Sequence, residues 1–131
     1  MRFLKSSLLA IFAFSTLAIV APAFADSFEE PEENVNVPMS TPTGLPPAAR
    51  DHNNAGLEAW KNGNKAEAKS HFADAVKAAP NSADLHYNLG LAYHVAGDHA
   101  KATEEFKLAY SNAGDNRLIK SAKLTKQHLK K

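Results

Sequence analysis

From Ala48 onward, apolar residues return at intervals of three and four, and short polar breaks divide them into segments. Ala55, Leu57, Ala59 and Trp60 form a first stripe, which predicts a helix over 49–61. Asn62-Gly63-Asn64 ends it, since both residue types tolerate the left-handed backbone of a helix C-terminus. Asn64 is placed to cap the next helix, with Glu67 three residues on completing a capping box. That helix carries Ala68, Phe72, Ala75 and Val76 inward and stops at about Ala79, before Pro80-Asn81-Ser82. Ser82 is the expected cap of a third helix, striped by Leu85, Leu89, Ala92 and Tyr93. Gly97-Asp98 turns the chain into a fourth, over 99–112, with Ala102, Phe106 and Ala109 inward. Leu118, Ala122, Thr125 and Leu129 predict a fifth over 117–130. Helices joined by such short turns lie antiparallel to their neighbours, so the fold class is all-α.

The pattern is written twice. Laying 49–82 over 83–116 without a gap matches Ala49/Ala83, His52/His86, Asn54/Asn88, Gly56/Gly90, Leu57/Leu91, Gly63/Gly97, Ala66/Ala100, Ala68/Ala102, Phe72/Phe106, Ala75/Ala109 and Ala79/Ala113. A fixed period of this size is the signature of a stacked-repeat architecture. A glycine inside a helix costs about 1 kcal/mol relative to alanine, so Gly56 and Gly90 need a reason at matching places. Close approach of two helix backbones supplies one, with Phe72 and Phe106 closing against the glycines.

These residues resemble the tetratricopeptide repeat family. The first unit carries its pattern as Gly56, Ala68, Phe72, Ala75 and Pro80, the second as Gly90, Tyr93, Ala102, Phe106 and Ala109. It departs at Ala59, where the family has an aromatic, at His52 and His86, in the tryptophan place, and at Gly114, in place of the last proline. The resemblance implies a helical-hairpin repeat, an α-solenoid of two units (49–82 and 83–116) with a capping helix over 117–130, in one domain spanning 48–131. The first helix of each unit then lines a concave face. Periodicity places Asn53, Leu57, Trp60 and Lys61 there from the first unit, and Tyr87, Leu91, His94 and Val95 from the second. An exposed Trp60 beside Leu57, Tyr87 and Leu91 is expected to anchor a partner; the competing expectation packs Trp60 under the N-terminal arm or at a core edge. Asn53, Asn88 and Lys61 are the polar groups available on that face. The identities read as packing code, and the positions where the copies disagree, Asn53/Tyr87, Trp60/His94 and Lys61/Val95, as the place to seek function.

Composition adds the rest. In a chain of 131 residues, Arg2 and Lys5 precede an apolar run from Leu8 to Val20, and Ala23-Phe24-Ala25 follows. That is the layout of a secretory signal peptide, 1–25, cut after Ala25; the run falls short of the roughly 20 residues of a membrane span. Residues 26–47 hold acids at Asp26, Glu29, Glu30, Glu32 and Glu33 and prolines at 31, 38, 42, 46 and 47, and are expected to be a disordered arm. The basic residues of 117–131, unaccompanied by acids, are expected on the solvated side of the cap. The chain has no cysteine, which excludes disulfides, thiolate chemistry and an acylated-cysteine anchor. Six histidines, at 52, 71, 86, 94, 99 and 128, include no pair at the four-residue spacing of a zinc-binding helix, and no catalytic motif surrounds a serine. No metal, cofactor or catalytic residue is therefore expected, nor nucleic acid, since no aromatics interleave the basic run. The expectation is an exported, periplasmic, non-catalytic module that binds a protein or peptide on the concave face and meets the membrane only through its signal peptide. Two repeats fall below the three usually needed for independent stability, so a self-associating structural module, a homo-oligomer, is the alternative. A histidine-mediated metal or small-ligand carrier is the weaker one.

Overall fold

The structure, a computed structural model, describes residues 37–130. The expected signal peptide, and residues 26–36 of the acidic arm, lie outside the described residues. All regular structure among the described residues is helical: α1 (Pro47–Lys61), α2 (Lys65–Ala78), α3 (Ala83–Val95), α4 (His99–Asn112), α5 (Arg117–Ser121) and α6 (Lys123–Leu129). Each of α1 to α4 packs on its neighbours in sequence, and α6 lies on α4, so two antiparallel hairpins stack and a short C-terminal pair closes the stack.

Pro47 opens α1, where the missing N–H costs nothing because that donor has no helical partner anyway. Gly63 and Gly97 end α1 and α3 with φ of 85° and 84°. In each turn the backbone N–H of the residue after the glycine reaches back into the helix: Asn64 donates to the Ala59 carbonyl at 2.8 Å, and Asp98 to that of Tyr93 at 3.0 Å. These bonds satisfy carbonyls the helix end would otherwise leave bare. The caps divide. Asp98 accepts from the Lys101 N–H and caps α4. Asn64 and Ser82 make no side-chain cap bond; Asn64 instead donates from Nδ2 to Glu67 Oε2 at 3.2 Å, so the expected capping box is a side-chain pair.

The core is built from alanines around two rings. Phe72 and Phe106 are fully buried, with Ala68, Ala75, Ala102 and Ala109 equally enclosed. The interior glycines have the predicted cause. A Cβ on Gly56 would stand 2.6 Å from two Phe72 ring carbons, and one on Gly90 would stand 3.2 Å from the Phe106 ring and from Glu105 Cβ.

Two expectations are corrected. The cap is not one helix over 117–130: Ala122 takes an extended backbone (φ −51°, ψ 128°) between α5 and α6. In one continuous helix Ile119 and Leu124 would stand about 140° apart around the axis. The break lets both face inward, together with Ala122, Thr125 and His128, while Leu118 is left 61% exposed. Nor is the whole arm without structure. Residues 37–46 lie ordered against the repeats, because groups on α1 and α3 bond their backbone and side chains. Pro38, Pro42 and Pro46 restrict φ in advance, which lowers the entropy lost on ordering.

Candidate functional site

Asn88, fully buried in the middle of α3, holds the arm. Its Oδ1 accepts the Met39 N–H at 2.6 Å, and its Nδ2 donates to the Met39 carbonyl at 2.9 Å. In an extended chain the N–H and C=O of one residue point to the same side, so a single carboxamide takes both. The same Nδ2 donates to Asn53 Oδ1 on α1 at 3.0 Å, and Asn53 Nδ2 donates to Thr41 Oγ1 at 2.9 Å. Thr41 donates onward to Asn54 Oδ1. The Met39 side chain packs against the main core cluster, and Leu45 against Ala49, Ala75 and Leu85. Backbone is thus gripped by amides and side chains are seated on apolar surface, which is how an extended peptide is bound.

The predicted face is partly assembled by the structure. Asn53 is in the network, and Leu57 is half-buried on the core. Trp60, Tyr87 and Leu91 are buried, Trp60 being only 9% exposed, so the open aromatic patch is corrected. Trp60 lies at a core edge, its ring 6.4 Å from that of Phe72, with Lys65 Nζ over the ring at 3.8 Å from its centroid. Lys61 and Val95 are exposed at the ends of α1 and α3. His94 turns to other histidines, described below. Asn88, read in the sequence only as a polar group available on that face, and Asn54 are not among the residues predicted to bind; their match between the repeats, read as packing, was the signal.

A second polar centre is buried between α3 and α4. His86 is 4% exposed, with Nδ1 2.6 Å from Glu105 Oε2 and Nε2 2.7 Å from the Pro80 carbonyl. Both oxygens accept, so both ring nitrogens carry hydrogen and the ring is an imidazolium. Burial pulls its pKa down, but the Glu105 carboxylate and the Pro80 carbonyl outweigh that and raise it above the ordinary value. The matching pair in the first repeat is His52 and His71, whose ring centroids are 6.1 Å apart.

A third centre joins the cap to the second hairpin. His94, His99 and His128 bring ring nitrogens within 4.8 Å of one another. The metal-spacing test applied to the sequence compares residues on one helix, and these three come from α3, α4 and α6.

The architecture is that of a stacked antiparallel helix-pair repeat. Residues 53–117 match the family model described as Tetratricopeptide repeat, and the chain resembles that family across both hairpins. No curated protein and no solved structure matches the chain. Repeats of this family generally mediate protein–protein interaction and are typically non-catalytic.

Proposed function

We propose that the chain is an exported, periplasmic interaction module which binds an extended stretch of a partner protein across α1 and α3, without catalysis. The observation that supports this reading is the pair of hydrogen bonds between the Asn88 carboxamide and the Met39 backbone. It recognises extended main chain at Met39 whatever the sequence, while the seats of Met39 and Leu45, six residues apart and separated by the turn at Thr43-Gly44, add preference for unbranched or γ-branched apolar side chains. The chain's own segment 37–45 stands in for the partner, at an effective concentration of the order of millimolar, so a partner must compete with it. Asn53, Asn88, Leu57 and Lys61 are the residues assigned to the contact, with Tyr87, Leu91 and Trp60 as its apolar floor and Val95 at its rim.

The test is crosslinking in the exporting cell from a photoreactive residue at Lys61, which is exposed at the end of α1. The expected product is an adduct to a different protein that fades when Asn53 and Asn88 are both changed to Ala. An adduct only with a second copy of the chain would move the reading to self-association, and none at all would count against both.

A further inference from the structure

The geometry points to a metal site: His94, His99 and His128 form a three-imidazole set for a divalent transition ion such as zinc, at the seam between the cap and the second repeat. This goes beyond peptide binding and does not rest on it.

The three rings already face one another. His94 Nδ1 is 3.0 Å from His128 Nε2, with the two rings nearly perpendicular at 83°. The His99 ring centroid is 5.0 Å from that of His94 and 6.0 Å from that of His128. Three nitrogens around tetrahedral zinc stand about 3.4 Å apart, given bonds of about 2.0–2.1 Å. Closing the set from its present span of at most 4.8 Å takes about an ångström of movement. His99 can supply it, because it is the exposed first residue of α4 and its side chain can turn.

The orientation of His128 is set from behind. Thr103 Oγ1 donates its one hydrogen to the His99 carbonyl at 2.8 Å. The 2.6 Å contact between Thr103 Oγ1 and His128 Nδ1 then has the imidazole N–H as donor. In the neutral ring that leaves the lone pair on Nε2, which accepts the His94 Nδ1–H at 3.0 Å; for both nitrogens to ligate one ion, the His94 hydrogen moves to its Nε2 and the ion takes the proton's place between the rings. An outer group that holds the N–H of a ligating imidazole, and so fixes the tautomer, is the usual companion of a metal-binding histidine. The Phe106 ring, 5.1 Å from that of His128, closes the inner side. His128 is 3% exposed, so its position is determined by the core.

The donor set selects the ion. Three neutral nitrogens without a carboxylate suit zinc, copper(II) or nickel(II), whereas magnesium and calcium require oxygen. A fourth position is left toward solvent beside His99, for water or for a donor from a partner. Because the ligands come from α3, α4 and α6, the ion would fasten α6 to the second hairpin. His128 follows His94 at the repeat spacing, as His94 follows Trp60, so the site arises where the cap continues the register of the repeats.

The experiment uses the chain without a histidine tag, stripped with chelator and titrated with zinc chloride at pH 7.5 by calorimetry, with parallel thermal melts. One site of micromolar or tighter affinity and a raised melting temperature are expected. His99→Ala, on the exposed side, should weaken binding about tenfold or more while the metal-free melt stays unchanged; cobalt(II) should give the visible absorption of a tetrahedral site, lost in the same variant. The double change His52→Gln with His71→Gln should leave binding as it is. Absence of saturable binding, binding indifferent to His99→Ala, or binding that follows His52 and His71 instead would overturn the assignment.

Discussion

The interior glycines provide a test in which two effects of opposite sign compete. Changing Gly56 or Gly90 to Ala adds helix propensity, worth about 1 kcal/mol in each case. Against this stands the new methyl group. At Gly56 it meets the Phe72 ring at 2.6 Å, a separation that real Cβ atoms do not tolerate, and Phe72 is fully buried. Overpacking of this kind costs about 1–3 kcal/mol, and a rigid ring held between helices belongs at the upper end. The net effect of Gly56→Ala is a loss of about 1–2 kcal/mol, or roughly 5–15 °C in Tm for a domain of this size. At Gly90 the contacts are 3.2 Å, which a shift of a few tenths of an ångström relieves, so the two terms nearly cancel. Urea denaturation followed by circular dichroism measures both on one scale. Gly90→Leu, whose larger side chain cannot be relieved in this way, should destabilise more than either alanine. If Gly56→Ala proves as stable as the parent, or less harmful than Gly90→Ala, the close-packing account of the paired glycines is wrong.

The remaining predictions concern polar contacts. His86 has a folded-state pKa above its unfolded value of about 6.5, so its contribution to stability is complete below that pH and is lost as pH rises through the folded pKa. Urea midpoints should therefore fall between pH 6 and the alkaline side of neutrality, and this slope should flatten in His86→Gln; an unchanged slope would refute the imidazolium assignment. Asp98→Ala should lower the melting temperature more than Ser82→Ala, because only Asp98 accepts a helix N–H. The Met39 amide should be protected from hydrogen exchange in the parent and lose that protection in Asn88→Ala, with α2 and α4 unaffected.

The hairpins were legible because a helix records its packing locally: a period of three to four, a glycine at the turn within each hairpin and a ring 16 residues after each interior glycine determine most of α1 to α4. What escaped depended on contacts made at long range. The arm reads as unable to order itself when only its own apolar content is counted. Asn88 is 49 residues from Met39, and nothing in the spacing of either announces the bond. Trp60 looked like a partner anchor because its place on α1 permits exposure; the core edge and Lys65 take it instead. The break at Ala122 has no proline or glycine to mark it and follows from the need to bury Ile119 and Leu124 on the same side. The histidine cluster was hidden for a similar reason, although the spacing of 34 from His94 to His128 was present in the sequence.

Peptide binding across α1 and α3 is tested by emptying the face and refilling it. In the full chain, residues 37–45 would be replaced by alternating glycine and serine, and a synthetic peptide of the sequence VPMSTPTGL, residues 37–45, would be titrated while the side-chain amide resonances of Asn53 and Asn88 are followed by NMR. Saturable shifts of both amides are expected, abolished by Asn88→Ala and much reduced in the parent chain, where the tethered segment already holds the site. Amides that do not respond to the peptide, or that respond equally whether or not the tethered segment is present, would contradict the account.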